Sequence, residues 1–119
     1  RRRPPEIVAR LTALAITEVC ISAITAGELE YGAHKSSDPA RNQAALAQFL
    51  LPLVILPFDE AAAQAYGRVR AALEASGAPI GSLDALIAAH ALAEGLTLVT
   101  HNTREFSRVT GLALEDWMG

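Results

Sequence analysis

Three short apolar runs, separated by helix-patterned stretches, constrain this chain more than any other feature. They are Glu18-Val19-Cys20-Ile21-Ser22, Leu53-Val54-Ile55-Leu56-Pro57-Phe58 and Leu96-Thr97-Leu98-Val99-Thr100. A strand with water on one face alternates apolar and polar residues. A run without strict alternation suits a strand covered on both faces, which is the pattern of parallel sheets. Parallel neighbours need a crossover, most often a helix. The expected class is therefore α/β, a short parallel sheet flanked by helices, with a last short strand over 112–117.

The helix boundaries are written in capping residues. Ser22 caps a helix over 23–35, and Asp38 followed by Pro39 opens another to about 51. Asp59 caps a long helix to Ser76, with Gly77 placed to end it. Gly81-Ser82 starts a helix ending near Glu94-Gly95, and Asn102 starts a short one through Phe106. Pro4-Pro5-Glu6 leads into a short amphipathic helix carrying Ile7, Val8, Leu11 and Leu14. There is no internal repeat or low-complexity stretch, and 119 residues suffice for one core, so a single domain over 1–119 is expected.

Composition narrows the function classes. Hydrophobic residues make up 51% and charged residues 19%, which excludes a disordered chain. The net charge of -3 is the wrong sign for a protein held to nucleic acid by bulk charge. It does not exclude a nuclease, whose metal site needs carboxylates whatever the total. The single cysteine, Cys20, allows no internal disulfide and no zinc knuckle, and its apolar flanks predict burial in a reducing compartment. Arg1-Arg2-Arg3 resembles the start of a signal peptide, but Glu6, Arg10 and Thr12 interrupt any apolar core behind it. With no apolar run near the ~18 residues of a membrane span, a cytoplasmic location is expected.

Two carboxylates break the helical patterning. On the helix over 23–35, Ile24, Leu29 and Tyr31 define an apolar arc, and Glu28 projects between Ile24 and Leu29. Glu28 is thus expected to face the core or a cleft, whereas Glu30 faces water. Asp84 stands in the first turn of a helix whose next nine residues, 85–93, carry no formal charge. That helix should be largely buried. An acid there can simply favour the helix N-terminus, and from this helix alone that reading and a metal reading weigh equally. Glu28, in a second turn, has no such explanation. Two inward carboxylates repel and lose hydration unless a cation lies between them, and an all-oxygen donor set suits Mg²⁺ or Mn²⁺ better than zinc.

The remaining polar residues admit local explanations. Asn102 and Glu105 have the spacing of a capping box, and Ser22 and Ser82 that of caps. His34, His90 and His101 lack metal-ligand spacing, and His90 reads as a core histidine. No phosphate-binding glycine loop and no nucleophile elbow is present.

Three ordered segments resemble those of VapC-type PIN domains, and the similarity covers essentially the whole chain. Ile21-Ser22-Ala23-Ile24-Thr25-Ala26-Gly27-Glu28-Leu29-Glu30-Tyr31-Gly32 resembles the I-S-x-I-T-x-x-E-L-x-Y-G segment. Residues 79–91, Pro-Ile-Gly-Ser-Leu-Asp-Ala-Leu-Ile-Ala-Ala-His-Ala, resemble the second acidic segment, and Thr100 to Phe106 the closing T-x-[ND]-x-x-x-F. The tail from Gly111 to Trp117 is similar too.

The resemblance implies a three-layer PIN-like fold and a Mg²⁺- or Mn²⁺-dependent endoribonuclease toxin of a toxin–antitoxin pair. Glu28 and Asp84 would be metal-binding acids. Asn102 would be a catalytic-site residue that holds water or orients a ligand where many members have Asp, with Thr100 and Ser82 beside it. It implies RNA as substrate, with the anticodon loop of a tRNA, initiator tRNA among them, as target. It further implies a VapB-type antitoxin and a toxin homodimer as partners. The family's first acid lies in an L-L-D-T-N-like stretch of a central N-terminal strand, and this sequence begins after it, so the domain is expected to lack that strand and its Asp. That gap motivates the alternative expectation, a defunct PIN-like module that binds antitoxin or RNA without turnover. Arg104 and Arg108, one helical turn apart, with Lys35, Arg41, Arg68 and Arg70, would supply a local basic rim for RNA.

Overall fold

The computed structural model describes residues 19–117. The chain is α/β, with β1 (Cys20–Ser22), α1 (Ala23–Lys35), α2 (Pro39–Leu50), β2 (Val54–Leu56), α3 (Glu60–Ala75), α4 (Ser82–Glu94), β3 (Leu98–Val99), α5 (Thr103–Phe106) and β4 (Leu114–Glu115). The helix expected over residues 7–14 lies outside the described residues. The remaining expected elements are present, with the strands trimmed to two or three residues. The central N-terminal strand that the resemblance implies has no counterpart among the described residues.

The described residues form two compact units, 19–57 and 58–117. In the first, β1 and β2 pair in parallel, Cys20 opposite Val54 and Ser22 opposite Leu56, and α1 packs against α2 and both strands. The Ser22 hydroxyl accepts the Ile24 N–H at 3.1 Å, which starts α1 directly from the end of β1. The Asp38 carboxylate accepts the Arg41 N–H at 3.3 Å, and Pro39 occupies the first helical position of α2.

Two expectations fail in this unit. The buried face of α1 is Ala26 and Ala33, seven residues and about two turns apart, while Leu29 and Tyr31 are exposed. Small side chains line the buried face, and the bulkier ones are left outside it. Cys20 is exposed rather than buried; it is the first residue of a three-residue strand that pairs with β2 alone among the described residues.

The second unit holds the larger core. Its helices α3 and α4 pack along each other, and Ala65, Val69 and Leu73 of α3 meet Ala88 and Ala89 of α4, with Phe106 and Val109 closing the cluster. Asp59 caps α3 by accepting the Ala62 N–H at 3.0 Å. Gly77 (φ +72°) follows its end, and Gly95 (φ +66°) ends α4 in the left-handed conformation that glycine adopts without penalty. The helix expected to be largely buried is so: Ala85, Ala88, Ala89 and His90 are buried and the residues between them partly so. Beside it, β3 and β4 pair in parallel, Leu98 opposite Leu114 and Val99 opposite Glu115. The expected parallel sheet is thus present as two separate two-stranded pairs, one in each unit.

Candidate active site

In parallel α/β structures, polar groups gather where strands end at their carboxyl edge, because the chain there turns into loops and helix N-termini with free N–H groups. Thr100, His101 and Asn102 follow β3, and Asp116 follows β4. These residues form a hydrogen-bonded shelf. The Asn102 N–H donates to the Thr100 hydroxyl at 3.0 Å, and the Asn102 side-chain amide donates to Glu105 Oε1 at 3.2 Å. His101 Nδ1 lies 3.3 Å from Asp116 Oδ2, and the Trp117 indole donates to Glu115 Oε1 at 2.9 Å.

This arrangement corrects the capping-box expectation. The Asn102 side chain makes no cap bond to α5. With the Asn102 N–H already taken by Thr100, Glu105 has no backbone donor to reach back to, and it accepts from the Asn102 amide instead. Glu105, read from the sequence only as a capping partner, is thereby a half-buried carboxylate fixed by Asn102. Its position one turn after Asn102 was the only available signal. Thr100 is where the sequence suggested, beside Asn102. The fixed end of α5 is Phe106, 4% exposed and part of the core cluster.

Asp84 is half-buried in the first turn of α4. Gly81 occupies the cap position and offers no side-chain bond, so the helix starts from the Gly81 carbonyl, which accepts the Ala85 N–H at 2.9 Å. Ser82 is therefore the first helical residue and not the cap that its sequence position suggested. A Cβ at position 81 would stand 3.7 Å from Asp84 Oδ2, which places Gly81 directly beside the carboxylate. His90, two turns further along α4, is 2% exposed and meets the Phe58 ring edge-on at 5.3 Å, a core histidine as expected.

Glu28 is in the second turn of α1, six residues beyond the end of β1, and it is exposed. The core-facing half of its expected orientation is overturned. Two residues advance a helix by about 200°, which puts Glu28 nearly opposite the Ala26–Ala33 face. Among the basic residues, Arg70 is occupied by Glu74 at 2.9 Å and the Tyr66 hydroxyl at 2.8 Å. The Glu74 bond, followed by the Tyr66 bond, holds its guanidinium above the ordinary arginine value. Arg108 Nη1 donates to the Pro79 carbonyl at 3.0 Å, tying the end of α5 to the segment that leads to Asp84.

No three or more His, Cys, Asp and Glu side chains gather into a metal-binding group among the described residues. That excludes a closed cage of these residues there, not an open site. Mg²⁺ is usually held by one or two carboxylates, with water and substrate phosphate filling its remaining positions. Asp84 supplies a half-buried carboxylate, an oxygen donor without nitrogen or sulfur, which fits such an ion.

The PIN-domain family model matches residues 1–112. The chain belongs to the PIN-domain family. Within it, this VapC-type chain is 49% identical over 100 residues to the tRNA(fMet)-specific endonuclease VapC of Shigella flexneri, covering 84% of this chain and 76% of that protein. Identity is 43% over 116 residues with the Salmonella typhimurium protein of the same name, covering 98% and 88%. It is 46% over 118 residues with ribonuclease VapC2 of Haemophilus influenzae, covering 99% and 89%. Among solved structures, DNA-bound VapBC from Salmonella typhimurium matches with a TM-score of 0.91 and 44% identity, covering 96% of this chain and 86% of that one. VapBC2 from Rickettsia felis, bound to a promoter DNA fragment, matches at 0.91 and 43%, again covering 96% and 86%. This is a VapC-type member of a family of ribonucleases, and relatives named as active enzymes do not support the defunct-module alternative. PIN-domain nucleases are generally dependent on divalent metal ions. No helix among the described residues is long and apolar enough to cross a membrane.

Proposed function

We propose that this chain is the toxin of a VapBC-type pair, a single PIN domain over 1–119 that cleaves tRNA in the cytoplasm, with the anticodon loop of initiator tRNA as target. The observation that carries the reading is Asp84, a half-buried acid in the first turn of a helix whose next nine residues, 85–93, carry no formal charge. Support for the substrate comes from the relatives named tRNA(fMet)-specific endonucleases at 43–49% identity.

On this reading Asp84 and Glu28 are the acids that would hold Mg²⁺ or Mn²⁺, and the ion would supply an activated water and charge stabilisation for phosphodiester hydrolysis. Asn102 fixes the Glu105 carboxylate by its amide and orients water or ligand beside the metal acids. A VapB-type antitoxin is the partner, supported by the VapBC complexes among the solved neighbours, and the toxin acts as a homodimer.

The test is cleavage of purified initiator tRNA with Mg²⁺ or Mn²⁺ by the parent chain and by Asp84→Asn. Cutting by the parent and loss of at least ~100-fold in the variant is the expected result, the scale of removing a principal electrostatic contributor. An Asp84→Asn chain that cuts at the parental rate refutes the assignment.

A further inference from the structure

A second polar feature of the 58–117 unit lies apart from the shelf after β3. A groove of about 310 Å³ runs between α3, the C-terminal half of α4 and the turn after α5. Its apolar lining includes Leu73 and Leu92, and its polar residues are Arg68, Ser76, Arg108 and Thr110. No carboxylate among the described residues lines it. In a chain of net charge -3 that is a local reversal of sign.

The two arginines are forty residues apart in sequence, and the packing of Phe106 and Val109 with Val69 and Leu73 of α3 brings their segments to one groove. Neither has a carboxylate partner among the described residues, in contrast to Arg70, which Glu74 neutralises. The Arg108 bond to the Pro79 carbonyl uses one guanidinium nitrogen and fixes the side chain beside the segment that precedes Asp84. Donors without acceptor charge, set beside an apolar lining, match a phosphodiester with its sugar lying against Leu73 and Leu92. Arginine binds phosphate oxygens bidentately and keeps its charge at any physiological pH.

We propose that this groove is an exosite for the phosphodiester backbone of the RNA, with Arg68 and Arg108 as positioning residues. The inference rests on the ribonuclease reading above. Leu92 stands eight residues beyond Asp84 on α4, about 12 Å along the helix axis at 1.5 Å per residue. The groove therefore holds a part of the RNA that flanks the cleaved bond, not the bond itself. It also answers how an acidic protein retains a polyanion: by a local patch of fixed donors rather than by total charge.

The test uses a fluorescein-labelled anticodon stem–loop of initiator tRNA, bound to the Asp84→Asn chain across about 50–200 mM salt. Removing one phosphate-binding arginine should make the log–log salt slope shallower by about 0.7, so by about 1.4 for Arg68→Ala with Arg108→Ala. In the active chain each change should raise KM up to about fivefold, the upper range for an exposed charge pair, and leave kcat unchanged. Arg68 makes no hydrogen bond or ion pair among the described residues, so the single Arg68→Ala variant reads the groove without disturbing the fold. Arg68→Lys should restore most of the salt slope.

An unchanged slope and KM in both variants, with the parent still binding and cutting, overturns the exosite and leaves the ribonuclease reading intact. So does a fall in kcat at constant KM. Competition by an acidic peptide such as polyglutamate, without any effect of the variants on RNA, assigns the groove to a protein partner and overturns it as well. A parent chain that neither binds nor cuts the RNA fails the ribonuclease reading and the exosite with it.

Discussion

Replacing Phe106 by alanine tests how the proposed site is held in place. The helix α5 has only four residues, far below the ~12 needed for a helix to persist alone. Its position depends on the Phe106 ring, which packs into the cluster with Val69, Leu73, Ala88 and Val109. A phenylalanine buries on the order of 150–250 Å², and at 96% burial the transfer value is about 4–6 kcal/mol at ~25 cal/mol per Å². This is an upper figure, because a real unfolded chain already hides part of that area. Measured phenylalanine truncations in cores cost about 3–5 kcal/mol, including the cavity left behind. The expected loss is therefore about 3–5 kcal/mol, a large share of the ~5–15 kcal/mol that stabilises a domain. Urea denaturation followed by the single tryptophan, Trp117, which is 9% exposed, reads it directly. The midpoint should fall with an unchanged slope, and Phe106→Leu should lose less than about 1.5 kcal/mol. A loss below about 1 kcal/mol in Phe106→Ala would show that core packing does not anchor α5, and with it that Asn102 and Glu105 are not positioned in this way.

Further expectations follow from the caps and from the polar shelf. Asp59→Ala should cost about 1 kcal/mol by orphaning the Ala62 N–H, whereas Asp59→Ser should recover most of it; thermal unfolding distinguishes the two. Gly95→Ala should cost about 1–2 kcal/mol, because the residue sits at φ +66°, and an equal stability would contradict that backbone conformation. Asn102→Ala should leave stability within about 0.5 kcal/mol, the usual range for an exposed site. Its cleavage of initiator tRNA should drop about 10–100-fold through the freed Glu105 carboxylate; parental activity would remove Asn102 from the site.

Most of the architecture is determined locally and was legible in the sequence. Ser22, Asp38 and Asp59 cap the helices they precede, and Gly95 ends the helix it follows, because capping depends on a few neighbouring atoms and on φ. The apolar runs identify strands for the same reason, since an unbroken apolar run is a property of successive residues. The uncharged stretch over 85–93 announced its own burial, and Asp84 stood out against it. The three family segments likewise follow one another in the chain, and they pointed to a VapC-type PIN domain.

What only the tertiary structure decided depends on partners distant in the chain. An amphipathic arc does not say which of its residues a neighbour approaches: on α1 Ala26 and Ala33 are covered, leaving Leu29, Tyr31 and Glu28 exposed. The spacing of Asn102 and Glu105 suits a capping box, but the Thr100 hydroxyl from the end of β3 takes the N–H that the box requires. Cys20 lies in an apolar context yet is exposed, in a strand with one paired neighbour among the described residues. Arg70 is tied to Glu74, while Arg68 and Arg108, forty residues apart, line one groove that has no acid among its described residues. Charge composition could give only the total of -3; where that charge is reversed is set by the packing of Phe106 and Val109 with α3.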